Sequence, residues 1–451
     1  MSSPATRPTP ARRQFLLRGL GLLAGLPLLS TCGYPPAPDA SAPVTLGRKG
    51  GTHLQIWWSG GSKNPAVDQA VAAYATAHPT WSADVSYTNG WDKLLVAVAA
   101  GTPPDVVIDA ATTLIKGAAR QTFAQLDAYL ARDRVDPAQY YQAARIAMRY
   151  QQATYGMPEH LVLASLYQND LVLNELGLDP THAPTSWEDL ALLNEQSLKM
   201  VTKGRTRAGF VPTWGWPADS AGWLQANGVP LLNAEGTKVA FATPAGVEAL
   251  DWVARQLQVV GGVDWISAYR KPYVAGPGEA LAVDQLAMGL MDVGEIPSTI
   301  LAITPNFTLH QWPVPGGPSA VGQTFGYFDA TLLLLPAAAR QQEAAWDYIK
   351  FHSGPAGQAF VQPGSAGAAI ACIPAVANNL GADEALKWRG RTNELVALAH
   401  TPAFLQSPAS AAVQAAMQQA AEPLWSGAQD APTTMAVMQR AAQAVLDTST
   451  L

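Results

Sequence analysis

The chain is 451 residues long, carries a formal net charge of −6 and is only 14% charged, so it lacks the basic surface that nucleic-acid binding requires. Its two cysteines, Cys32 and Cys372, offer no disulfide framework once Cys32 is modified, and the fold must then rest on its core. Fourteen tryptophans against ten phenylalanines are the unusual feature, because large aromatic faces suit the apolar C–H faces of sugar rings.

The N-terminus reads as an address. Arg7, Arg12, Arg13 and Arg18 precede or flank an apolar run from Phe15 to Leu29. That run is shorter than the roughly 20 residues of a membrane span and fits a signal-peptide core. Gly19, Gly21 and Ala24 fall at dinucleotide-fingerprint spacing, but no strand precedes them. "RRQFLL" resembles the twin-arginine export signal, and "LSTC" resembles a bacterial lipobox with Cys32 as the lipidated residue. Residues 1–32 are thus expected to be a lipoprotein signal peptide, and the Pro- and Ala-rich residues 33–50 a flexible tether.

Downstream, "HLQIWWS" (53–59) predicts a strand, and the next stretch carries Val67, Val71 and Tyr74 at helical spacing before Pro79. A strand at 83–89, a helix from Trp91 closed by Gly101, and the apolar strand "DVVIDAA" (105–111) complete a strand-helix alternation. That pattern predicts a parallel sheet with buried faces, whose ligands bind at the carboxyl ends of the strands. Trp57, Trp58, Ser59 and Asp109 stand at those ends. An extended segment from Tyr155 leads to a helix over Leu171–Leu176 stopped by Gly177, and Thr185 with Glu188 has capping-box spacing ahead of another helix. Residues 204–223 show little periodicity. A helix around 244–257, a loop-rich region to about Gly278, and a short helix plus a strand ending at Gly294 follow. "HQWPVPGGP" (310–318) and "FGYFDATLLLLP" (325–336) read as strands, and "EAAWDYIKFHSG" (343–354) as an amphipathic helix. Ala- and Gln-rich helices close the chain. Trp223 and Trp346 are expected in the core, and Cys372, within "AAIACIP", as a buried inert thiol.

Seven scattered histidines lack any metal-ligand spacing, and neither a GxSxG elbow nor a Walker A sequence occurs, so no cofactor or metal is expected. A glycoside hydrolase would need paired carboxylates, for which Asp109 and Glu159 are the available couple.

Several motifs resemble one family in order and spacing: "WDKLLVAVAAGTPPDVVIDA", "ATYGMPEHLVLASLYQNDLVLNELGLDPTHAPTSWEDL", "DQLAMGLMDVG", "WPVPGGP" and "AAWDYIKFHSG". They resemble the extracellular solute-binding proteins of family 1, the maltose-binding-like receptors of sugar-importing ABC transporters. The resemblance implies an α/β, two-lobe periplasmic-binding-protein-like fold of type II whose interlobe cleft closes by hinge motion. It implies lobe one at 51–159 plus 313–352 and lobe two at 160–312 plus 353–451.

The same resemblance implies a non-enzymatic, monomeric receptor on the outer face of the cytoplasmic membrane or in the periplasm. Its partners would be a carbohydrate, an ABC permease and the membrane through its lipid anchor, and not nucleic acid. A glycerol phosphate ester is the alternative ligand, with Arg389 and Arg391 as its possible partners, and an anchored glycoside hydrolase is the alternative of another class. The candidate ligand residues are Trp57 and Trp58, which alternate on one strand so that one faces the cleft; Asp92, Asp109 and Glu159; Trp214 and Trp216; Glu295, where the family often has a stacking aromatic; and Tyr327 in the return segment.

Overall fold

The computed structural model describes residues 44–47, 51–59, 63–87, 90–197, 201–202, 205–294, 296–361, 369–379 and 387–449. The chain divides into two units, Met1–Asp39 and Ala40–Leu451, and every described residue falls in the second. The signal segment, Cys32 and Glu295 lie outside the described residues.

Strands β1 (Val44–Gly47), β2 (Thr52–Trp58), β3 (Trp81–Tyr87) and β4 (Val106–Ala110) alternate with helices α1 (Pro65–Ala77) and α2 (Trp91–Ala99). β2 pairs in parallel with both β3 and β4, as the alternation predicts, while β1 adds antiparallel to β3. Val106, Val107 and Ile108 are all buried, because helices cover both faces of a parallel strand. Pro65 opens α1 and Asn64 caps it by accepting from the Ala66 N–H at 2.9 Å, leaving Val67, Val71 and Tyr74 on one buried stripe. Gly101 ends α2 at φ +70, a left-handed stop that glycine adopts without steric cost.

After α3 (Ala111–Ala119) comes β5 (Gly156–Asn169), a single strand of 14 residues. At about 3.3 Å per residue it runs roughly 45 Å, far enough to serve both ends of the sheet. Helices α4 (Trp187–Ser197), α5 (Ser220–Ala226) and α6 (Pro244–Val259) precede β6 (Met288–Asp292) and β7 (Leu309–Trp312). Then come β8 (Tyr327–Leu334), α7 (Gln342–Ser353), β9 (Thr401–Pro402), α8 (Ser410–Trp425) and α9 (Ala431–Ser449). The nine-stranded sheet has the order β1-β3-β2-β4-β8-β5-β6, with β7 also on β5 and β9 also on β8. The first half of β5 pairs antiparallel with β8, and its second half lies between β6 and β7.

Two details depart from the expected elements. The capping box of α4 is Ser186 with Asp189, one residue later than expected: the Asp189 N–H donates to Ser186 Oγ at 3.2 Å and the Ser186 N–H to Asp189 Oδ2 at 3.0 Å. Burial of Trp187 sets the phase of that helix. The predicted strand at 310–318 breaks at Pro313, and Val314–Pro315 pairs instead with Thr324–Phe325.

Among the described residues, Trp81, Trp187, Trp214, Trp223, Trp252 and Trp346 are each exposed by 5% or less, so much of the tryptophan content is packing rather than binding surface. Trp187, Trp223 and Trp252 meet with ring centroids 4.6–5.3 Å apart, in the offset geometries that aromatic quadrupoles favour. Trp346 and Cys372 are fully buried, as expected.

Candidate functional site

Along β8, Tyr327, Asp329 and Thr331 point to one face because strand side chains alternate. His160 on β5 stands opposite Thr331, with its Nε2 3.3 Å from the threonine Oγ1. The Trp58 ring, at the end of β2, lies stacked on the His160 imidazole with centroids 6.3 Å apart.

The register explains how His160 is aimed. Thr331 opposes His160 but Leu332 opposes Pro158, so Glu159 is an extra residue, a β-bulge in β5. Its carboxylate is 1% exposed, bonds the His160 Nδ1, and lies 3.7 Å from His352 Nε2 on α7. His352 Nδ1 in turn meets the Tyr348 hydroxyl at 2.9 Å, and Gln358 ties down the bulge by donating to the Glu159 carbonyl at 2.6 Å.

Two more aspartates lie on other segments, Asp109 near Asp329 and Asp219 near Tyr327. Asp109 ends β4, accepts from the Ala110 N–H at 2.7 Å and is held by the hydroxyls of Ser59 and Thr113, with Lys116 of α3 nearby. Asp219 caps α5 through the Gly222 N–H at 2.9 Å and bonds Gln418 of α8. The Tyr327 hydroxyl donates to the Gly222 carbonyl and so fastens β8 to that helix.

His160, Glu159, Asp109 and Asp329 form an electrostatic seam. Burial raises the Asp329 carboxyl to about 6 against the Ala330 N–H and the His160 charge, and Asp109 adds to the rise. Burial likewise lifts Asp109 and Asp219. For Glu159 burial pushes up, but the imidazoles of His160 and His352 prevail and hold it at about 2, while Glu159 keeps the His160 ring protonated above its ordinary range.

On the opposite face of β8, Phe328 packs edge-on against Phe404 at 6.3 Å, beside a cavity of about 470 Å³. Its walls come from Ile115 of α3, the Tyr150–Gln152 hairpin, Gln225 of α5, Asn233 and Gln406. The wall combines carboxamides with the charged side chains of Arg149 and Glu235, and both kinds of group can hydrogen-bond hydroxyls. Among the described residues no group of three His, Cys, Asp or Glu side chains could hold a metal ion, and no helix is long and apolar enough to cross a membrane.

The sequence candidates scatter. Trp58 and Asp109 belong to the seam, whereas Trp57, on the alternate face of β2, is partly exposed. Trp216 is partly exposed beside β6, its backbone N–H donating to the Leu290 carbonyl at 3.2 Å. Trp214 is 5% exposed, wedged against Tyr269 and Tyr273 beneath Arg270, so it is packing rather than an open platform. Tyr327 is 1% exposed with its hydroxyl spent on Gly222, and Glu159 is closed off behind the bulge, so neither presents a free group. Asp92 lies exposed in the first turn of α2, apart from these contacts. Arg391 stacks over Trp312 and pairs with Glu394 at 2.9 Å. None of the candidates lines the cavity. Sequence reasoning missed His160, Asp219 and Asp329; the available signal was a polar residue interrupting each of two apolar runs, "HLVLASL" and "FDATLLLL".

A family model described as bacterial extracellular solute-binding protein matches residues 69–383. No curated protein matches the sequence. Among solved structures, the sugar-binding protein MalE from Xanthomonas citri superposes with a TM-score of 0.72 at 19% identity, covering 88% of this chain and 98% of that one. The cyclic α-maltosyl-1,6-maltose binding protein from Arthrobacter globiformis gives 0.68 at 19%, covering 88% and 100%. A Listeria monocytogenes ABC substrate-binding protein in complex with cycloalternan gives 0.69 at 15%, covering 88% and 99%. The fold is therefore the two-lobe type II periplasmic-binding-protein-like one, and with more than half of its length matched, the chain belongs to the bacterial extracellular solute-binding protein family.

Proposed function

We propose that the chain is an exported receptor that captures a carbohydrate and passes it to the permease of an ABC importer without bond chemistry. The observation that carries this reading is the seam of Trp58, Asp109, His160 and Asp329, where four strands from distant parts of the chain bring one aromatic face together with acceptors and donors for hydroxyls. In this reading Trp58, Asp109 and Trp216 contact the ligand together with His160 and Asp329, and Trp57 faces away from it.

The lobes in this proposal are 51–159 plus 313–352 and 160–312 plus 353–451, with the Tyr141 backbone N–H donating to the Cys372 carbonyl at 2.9 Å. The chain is monomeric and held at the membrane through Cys32, exported by the twin-arginine-like signal, with 33–50 as the tether. A glycerol phosphate ester fits the seam less well, because Asp109 and Asp329 repel an anion and Arg391 is engaged elsewhere.

The test is thermal melting of the 40–451 unit with mono- and oligosaccharides, polyols and glycerol phosphates. A ligand at about 100 times its Kd stabilises the folded form by about 2.7 kcal/mol, a readily measured shift. A saturable shift with one saccharide class is expected; no shift with any of the panel refutes the reading.

A further inference from the structure

We propose that Glu159 is a positioning residue for ligand capture: from its bulge it holds the His160 ring with Nδ1–H turned inward and Nε2–H turned outward, as a donor for an acceptor oxygen of the saccharide. This deepens the receptor reading and rests on it.

The geometry comes first. The extra residue in β5 sets the Glu159 carboxylate on the His160 Nδ1. A carboxylate only accepts, so that nitrogen carries a proton. The ring is then held on three sides, by Glu159 at Nδ1, by the Trp58 ring stacked on its face, and by Thr331, whose Oγ1 lies 3.3 Å from Nε2. Nε2 is thus the nitrogen turned toward the face of β8 that carries Asp329 and Thr331. At 3.3 Å its contact with Thr331 is long for a hydrogen bond, which leaves the N–H able to serve a ligand oxygen as well.

The support behind Glu159 is rigid. Gln358, fully buried, donates to the carbonyls of Pro158 at 3.2 Å and Glu159 at 2.6 Å, and accepts from the Cys372 N–H at 2.5 Å. His352 Nε2 stands 3.7 Å from the second carboxylate oxygen, beyond hydrogen-bond reach, and neither atom has another partner among the described residues. The carboxylate therefore directs its side-chain hydrogen bond to His160. Stability alone does not call for this arrangement, since a buried ion pair is often no better than apolar side chains of the same volume and a bulge forgoes a ladder pairing. What the pair supplies is aim, because the bond made at one ring nitrogen decides what the other presents.

The same contact fixes the charge. Burial works against a charged ring, but Glu159 along β5 and Asp329 from β8 outweigh it and favour the imidazolium, in which Nε2 donates, over the neutral ring, in which it would accept. The other titratable groups around Glu159 are His352 and Tyr348 of α7 and the Cys372 thiol, of which burial keeps the last two neutral. Asp109, at the end of β4, acts on Asp329.

The experiment is imidazole nitrogen NMR of the histidine-labelled 40–451 unit, with His160 assigned through His160→Gln, beside calorimetric titration with the saccharides of the melting panel, maltotriose and mannotriose included. In the parent, His160 is expected to keep its Nδ1 proton throughout and to stay cationic at about pH 7, and saccharide affinity to fall as pH rises through its titration midpoint. Asp329, at about 6, shapes only the acid side of that profile. Glu159→Gln should lower the midpoint by about one unit or more, carry the alkaline loss of affinity down with it, and weaken binding about tenfold at about pH 7.5. A Glu159 that only stabilises the fold would lower the melting midpoint and leave the pH profile where it was. The parent measurements decide the matter even if the variant does not fold: a ring neutral at about pH 7, a proton on Nε2 alone, or an alkaline loss of affinity that does not follow the His160 midpoint overturns the inference. A folded Glu159→Gln with an unmoved profile overturns it too, and in each of these cases the receptor reading stands; if no saccharide binds, both fall.

Discussion

Asp329→Asn should make the unliganded protein more stable at neutral pH. The carboxyl moves from about 3.9 in the unfolded chain to about 6 in the folded one, so between those values the folded state holds the extra proton. Stability is therefore full below pH about 4 and declines as pH rises through 6. Two units at 1.36 kcal/mol each give roughly 3 kcal/mol, trimmed to about 2 kcal/mol because the side chain is partly exposed. Asparagine keeps the shape and cannot ionise, so the variant should match the parent near pH 4 and exceed it by about 2 kcal/mol near pH 7.5. Urea unfolding of both proteins at the two pH values measures this. A variant that is no more stable at the higher pH, or equally stabilised at both, would refute the argument that burial strains this carboxylate.

Gly215 sits at φ +123 against β6, and a Cβ there would lie 1.7 Å from the Leu290 carbonyl oxygen, so Gly215→Ala should cost several kcal/mol, on the order of 3, and displace Trp216. Melting and tryptophan emission would register both effects. Trp223→Ala empties the three-tryptophan hub and removes a 2.7 Å bond to the Pro212 carbonyl, for a loss of about 3–5 kcal/mol in chemical unfolding. Glu159→Gln leaves the His160 imidazole without its counter-charge and should destabilise by about 3 kcal/mol at neutral pH. Because Glu159 titrates at about 2, below its unfolded value, that deficit should close as pH falls toward 2; a deficit independent of pH would mean the charge plays no part.

The sequence made the β2-β3-β4 region legible because Pro65, Gly101 and the apolar run at 106–108 are local signals that tertiary packing reinforces. The helix Gly262–Arg270 was hidden within an expected loop because only Ile266 among its residues is buried, which leaves almost no apolar period to detect. The site was legible only where it sits at strand ends, at Trp58 and Asp109. His160 became part of it through the bulge at Glu159, and a bulge depends on the register with a strand some 170 residues away, about which a linear reading holds no information. Tryptophan content pointed toward sugar binding, but Trp187, Trp214, Trp223 and Trp252 are claimed by packing, and composition cannot separate the two uses.

The long strand β5 also sets the order in which the molecule can come into being. Gly156 pairs with Leu334, and Asn169 with Leu309, so neither flank of that strand is satisfied until most of the chain has left the ribosome. Such distant pairings carry a large loop-closure cost and slow folding, and an unpaired apolar strand of this length invites aggregation meanwhile. An export route that accepts only finished molecules would keep that vulnerable interval inside the cell, within reach of chaperones.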